Sequence, residues 1–148
     1  YSTAVRVSEL TALNQEDIRF SSKYLTVFGK GAKERITYLN ERSHMYLKEY
    51  LESRTDDNPA LFVSERKPYK RLSKNGLEDL IHRTGQRVDV HAYPHRFRRT
   101  AATNALNRGM PVQEVAQLLG HAKLETTMLY CTVERESVQY HHRKYLSA

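Results

Sequence analysis

The chain has 148 residues, of which 39% are hydrophobic and 28% charged, and it carries a net charge of +7. That length suits one domain with a core of its own, and the composition excludes a disordered chain. One cysteine, Cys131, excludes an internal disulfide and a cysteine-based zinc site, and no signal peptide or apolar run of membrane-spanning length is present. A reducing, intracellular setting and a polyanionic partner are therefore expected. The charge is uneven. Residues 1–60 hold nine basic and nine acidic side chains, whereas residues 61–148 hold fifteen and eight.

In chain order, Val5, Leu10 and Leu13 predict a helix over Tyr1 to Leu13. Arg6 and Glu9 share its face, either as a surface ion pair or as an arginine aimed by a carboxylate. Residues 17–38 change period. Ile18 and Phe20 alternate, Ser21-Ser22-Lys23 turns, Tyr24 to Phe28 is rich in β-formers, and Arg35 to Leu39 forms a further strand. Gly29 and Gly31 bracket Lys30 at the tip of this three-stranded meander, where an ordinary turn lysine is the bland reading. Asn40 caps a helix over about 41–54, with Leu47, Tyr50 and Leu51 on its inner face. Leu61-Phe62-Val63 is either a strand or a buried connector. Residues 65–75, ERKPYKRLSKN, hold five Lys or Arg, which suits a phosphate backbone as well as a solvated loop.

Ser73 caps a helix to about Arg87, with Leu77, Leu80 and Ile81 inward. Pro94 begins a helix to about Arg108, stopped by Gly109, with Phe97, Ala101 and Ala105 on its buried side. His95 and Arg98 project from one face of its first turn, where backbone N–H groups and the helix dipole favour an anion. Pro111 starts the next helix, with the stripe Val112, Val115, Ala116 and Leu119, and Gly120 ends it. His121 follows that end, where a histidine is more often a cap than a catalyst. A short helix from Lys123 to Tyr130 and a last one over about 134–146 complete the chain. The fold class expected is α+β, mainly helical, with a small three-stranded antiparallel sheet near the N-terminus.

Four strings, AVRVSELTALNQEDI, VFGKGAKER, PHRFRRTAAT and QLLGHAKLETTMLY, occur in this order over nearly the whole chain. In them the chain resembles the C-terminal catalytic domain of the tyrosine recombinases, the phage-integrase and Xer-type family. The resemblance implies catalytic roles for Arg6, Lys30, His95, Arg98 and His121, with Glu9 as acidic support and Tyr130 as nucleophile. It implies cleavage and rejoining of double-stranded DNA through a 3′-phosphotyrosyl link, without metal or other cofactor. Integration or excision of a mobile element or prophage is the leading role, with a Xer-like resolvase of chromosome or plasmid dimers as the alternative. A non-catalytic DNA-binding module that kept the fold is the competing reading from another class. Contacts to the DNA backbone are expected from Lys33, Arg35, Lys67, Lys70, Arg71, Lys74 and Arg99. Arg99 stands where many relatives have His, so it either binds phosphate or changes packing. Further expectations are a tetramer on DNA through exchange of the C-terminal helix, accessory DNA-bending proteins, no membrane and a cytoplasmic, nucleoid-associated location. Core-binding and arm-binding domains are expected to be absent from this stretch, which reads as a piece of a larger protein.

Overall fold

A computed structural model describes residues 1–29, 33–131 and 142–144. Its elements are helices α1 (Val7–Ala12), α2 (Glu41–Glu52), α3 (Lys74–Gln86), α4 (Pro94–Asn107), α5 (Val112–Leu119) and α6 (Glu125–Met128), and strands β1 (Ile18–Arg19), β2 (Tyr24–Phe28) and β3 (Glu34–Tyr38). The strands form one antiparallel sheet in the order β1-β2-β3, with Ile18 opposite Leu25 and Val27 opposite Arg35. The α+β class and the three-stranded sheet are as the sequence predicts.

The first helix is shorter than its periodicity suggests. Ala4 lies in the left-handed region at φ 50°, which a right-handed helix cannot include. The helix begins only after Arg6, whose extended backbone N–H donates to Glu9 Oε2 at 2.7 Å. A side chain returning to the cap position fixes the start of a helix in this way. Phe20 belongs to a 3-10 turn, not to β1, and Lys23 closes that turn at φ 51°. Leu61-Phe62-Val63 is a connector with Leu61 buried and Phe62 and Val63 half-buried, flanked by the isolated bridges Asn14–Ala60 and Val63–Arg71. The caps Asn40 and Ser73 accept from Ser43 N and Gly76 N as their residue types dictate.

Two cores result. Leu13, Ile18, Leu25, Val27, Leu39, Leu47 and Leu61 pack between the sheet and its flanking helices. Ala4, Ala102, Val115 and Leu119 form the second, with Ala101, Ala105, Met110 and Tyr130 against it. Two faces differ from their sequence reading. Phe97 is 42% exposed, and α4 instead buries Arg98 and Ala102. Leu80 points largely outward, so α3 buries Leu77 and Gly85.

Candidate active site

The site is built on the C-terminus of α5. The last carbonyls of a helix have no partner within it, and they form the negative end of its dipole. Gly120 adopts φ 62° and stops the helix, as its lack of a Cβ allows. Three successive carbonyls each receive an arginine from a different element. Leu118 O accepts from Arg35 Nε at 3.1 Å, Leu119 O from Arg98 Nη2 at 2.5 Å, and Gly120 O from Arg6 Nη2 at 3.3 Å. Strand β3, helix α4 and the start of α1 are thereby drawn to one point.

Glu9 holds two of these arginines. Its carboxylate receives both terminal nitrogens of Arg35, at 2.8 and 2.7 Å, and Arg6 Nη1 at 2.8 Å. Burial alone would raise its pKa. The bonds from Arg35 and from the Arg6 backbone and side chain outweigh burial and hold it at about 2. Arg98 is 6% exposed and has no carboxylate partner among the described residues. Its other terminal nitrogen donates to Ala4 O at 2.5 Å, and it is the left-handed backbone of Ala4 that supplies this carbonyl. Burial first, and then repulsion from Arg6, lower its pKa to about 10. It is still a cation at neutral pH, and it sits where an anion would be welcome.

Arg6, His95, Arg98, His121 and Tyr130 line one open cavity of about 400 Å³, together with Val5, Val7, Pro94 and Thr126. The Arg6 side chain is 40% exposed, so its guanidinium is aimed by Glu9 yet reachable. His95, in the first turn of α4, is exposed, and its ring makes no hydrogen bond to another described residue. The His121 ring stands 6.2 Å from that of Tyr130, and its Nδ1 lies 2.8 Å from Thr127 Oγ1. Burial, and then the charges of Arg98, Arg6 and Arg35, push the His121 imidazole below its ordinary pKa.

The cavity thus unites five of the six catalytic candidates, which span 124 residues from Arg6 to Tyr130 in the sequence. Lys30 lies outside the described residues, as does the expected last helix apart from residues 142–144. Lys33, Lys67, Lys70, Lys74 and Arg99 are exposed, as contacts to a DNA backbone require. Of the two arginines also assigned to that surface, Arg35 is placed otherwise, whereas Arg71 is exposed but bonded to the protein's own backbone. Arg35 is turned inward and bound to Glu9 and Leu118 O, because alternation along β3 puts it on the inner face of the sheet. Arg71 donates to Thr11 O, Leu13 O and Asn14 Oδ1, which fastens the basic loop to the end of α1. Among the described residues, no cluster of three or more His, Cys, Asp or Glu could hold a metal, and no helix is long and apolar enough to cross a membrane. Sequence reading missed the inward role of Arg35 and the contact of Thr127. For the first, alternation along β3 groups Arg35 with Thr37 on one face but does not say which face is buried. The second had no signal, since it depends on how the turn after α5 folds back.

Residues 1–137 match the model of the phage integrase family. The chain belongs to the phage integrase family. It is 41% identical to tyrosine recombinase XerA of Pyrococcus furiosus over 135 residues, covering 90% of this chain and 47% of that protein. It is 36% identical to tyrosine recombinase XerC of Corynebacterium glutamicum over 140 residues, covering 92% and 45%. A crystal structure of XerA recombinase superposes with a TM-score of 0.82 at 28% identity, covering 99% of this chain and 55% of that one. The Tn1549 transposon integrase, solved in complex with transposon right end DNA, shares the fold at a TM-score of 0.81 and 17% identity, covering 99% and 56%. The chain spans about half the length of the curated relatives it matches.

Proposed function

We propose that this chain is the catalytic part of a tyrosine-type site-specific recombinase acting on double-stranded DNA. The convergence of Arg6, Arg98, His95, His121 and Tyr130 on one cavity carries the reading. The Tyr130 oxygen attacks a backbone phosphorus, the bond from phosphorus to the 5′ oxygen breaks, and a 3′-phosphotyrosyl link and a 5′ hydroxyl form. The reverse attack by a 5′ hydroxyl rejoins a strand, and the link conserves the phosphodiester bond energy. Negative charge grows on the non-bridging oxygens in the transition state. Arg6 and Arg98, pre-aimed by Glu9 and by the α5 carbonyls, offer their remaining N–H groups to that charge. A phenol has an ordinary pKa of about 10, so Tyr130 needs a proton acceptor. Unbonded and at the cavity, His95 takes that part. Lys30 is assigned the proton delivered to the departing 5′ oxygen, on the resemblance of its motif.

Lys33, Lys67, Lys70, Lys74 and Arg99 are assigned to the DNA backbone, and the assembly on DNA to a tetramer with accessory DNA-bending proteins. Action on DNA in the cytoplasm, at the nucleoid, is part of the same proposal. Integration or excision of a mobile element and resolution of replicon dimers use the same chemistry. The identities of 41% and 36% to proteins named XerA and XerC favour the resolvase role.

The test is a library of nicked suicide duplexes with randomised half-sites, incubated with the chain and scored for complexes that survive detergent. A covalent complex is expected, and Tyr130→Phe should abolish it. A complex that persists in Tyr130→Phe would rule out Tyr130 as the nucleophile.

A further inference from the structure

Thr127 lies beside the cavity but does not line it, and it is fully buried, at 0% exposure. Its backbone N–H donates to Leu124 O at 2.8 Å. Its hydroxyl has one hydrogen-bond partner among the described residues, His121 Nδ1, at 2.8 Å. Either atom can in principle be the donor, so the buried protons decide the direction. If Nδ1–H donated to Oγ1, the hydroxyl proton would be sealed in the interior without an acceptor, which is costly. If the hydroxyl donates, its proton and the Nδ1 lone pair are both satisfied.

We propose that Thr127 is a positioning residue, whose hydroxyl donates to Nδ1 of His121 and so holds the ring proton on Nε2, facing the phosphate site. The inference rests on the recombinase reading and adds to it the cause of the orientation of His121. The groups around the ring make the tautomer decisive. Arg6 from the start of α1, Arg35 from β3 and Arg98 from α4 surround it with positive charge, and the Tyr130 ring lies beside it, tilted by 37°. A second ring proton is disfavoured there, so the neutral imidazole has a single N–H. On Nε2 that N–H donates to a phosphate oxygen. On Nδ1 it would leave a lone pair turned towards the anion, and attraction would become repulsion. A buried hydroxyl thus settles whether His121 helps or opposes the reaction.

The measurement is a two-bond proton–nitrogen correlation spectrum of the full chain labelled with ¹⁵N-histidine, recorded near neutral pH, with His121 assigned by its loss in His121→Gln. Wild type and Thr127→Ser are expected to show protonated Nε2 and unprotonated Nδ1. Thr127→Val, similar in shape but without a donor, is expected to lose that pattern. On the suicide duplex its rate of covalent complex formation should fall about a hundredfold, as for other lost transition-state donors, and Thr127→Ser should restore it. A protonated Nδ1 in the wild type overturns the inference even if Thr127→Val fails to fold, and so does a wild-type pattern in Thr127→Val. The spectrum needs no DNA. The expected tautomer in a wild type that never forms the covalent complex would uphold the role of Thr127 and count against the recombinase reading alone.

Discussion

Around the sheet, the buried side chains are large and aliphatic: Leu13, Ile18, Leu25, Val27, Leu39, Leu47 and Leu61. Around α4 and α5 they are smaller and fewer, Ala4, Ala102, Val115 and Leu119, and buried Arg98 sits among them. The first region is held by removal of apolar surface from water, which is non-directional. The second is held by arginines bonded to the backbone carbonyls of Ala4, Leu118, Leu119 and Gly120, and those bonds are directional. A scaffold tolerates the first kind of cohesion. A site that must aim charges needs the second, and the small alanines let the backbones come close enough to provide it. Strand β3 joins the two. Its outward residues include Ile36 and Tyr38, whereas its inward ones are Arg35 and Thr37, which bind Leu118 O and Thr3 O.

The strongest test of this contrast sets one residue from each region against the other. Arg98→Met should leave Ala4 O and Leu119 O unpaired, at about 1–3 kcal/mol each, and should abolish the covalent DNA complex. Leu25→Ala should cost about 2–5 kcal/mol through its cavity, yet leave complex formation intact at temperatures where the variant is folded. Thermal denaturation and the suicide-duplex assay measure the two axes. Loss of the complex in folded Leu25→Ala would show that the regions are not separable.

Acid should act through the second region. Glu9 has a pKa of about 2 in the folded chain against an ordinary value of 4.5. A depressed carboxylate stabilises the fold above its unfolded pKa, and that contribution is lost as the pH falls towards the folded one. With the side chain 4% exposed, the shift corresponds to about 3 kcal/mol, lost between about pH 5 and pH 2. Urea unfolding across that range should show the slope in the wild type and a much shallower one in Glu9→Gln. An equal slope in both would assign the acid sensitivity elsewhere.

Much of this was legible in the sequence, for reasons that follow the same division. The helices from Glu41 to Leu119 follow periodicity, caps and glycine stops, which are local and are written in adjacent residues. The candidate site was legible through the ordered motifs of a known family. What escaped depends on contacts distant in sequence. Nothing local says that Arg35 is 83 residues from the carbonyl it binds, that Arg71 reaches back to Leu13 O, or that α4 buries a charge in place of Phe97. On β3, alternation correctly separates two faces, but hydrophobicity would choose the wrong one to bury, since Ile36 is 46% and Tyr38 62% exposed. The inward side is polar because it binds backbone.

The two smallest effects are nearly equal in stability and should differ in activity. Gly120→Ala places a Cβ 3.1–3.2 Å from the Arg35 side chain and forces a non-glycine residue to φ 62°. The conformational strain is about 1–2 kcal/mol. Ser73→Ala removes the hydroxyl that accepts from Gly76 N at 3.1 Å, costing about 1 kcal/mol. Both should lower the melting temperature by a few degrees. Gly120 carries a carbonyl bonded to Arg6 and precedes His121, so Gly120→Ala should also slow formation of the covalent complex. Ser73 caps α3, which contributes no residue to the cavity that holds Tyr130, so Ser73→Ala should leave the rate unchanged. If the two variants lose activity in equal measure, stability alone governs the rate, and the directional bonding around α5 has no part in aiming the site.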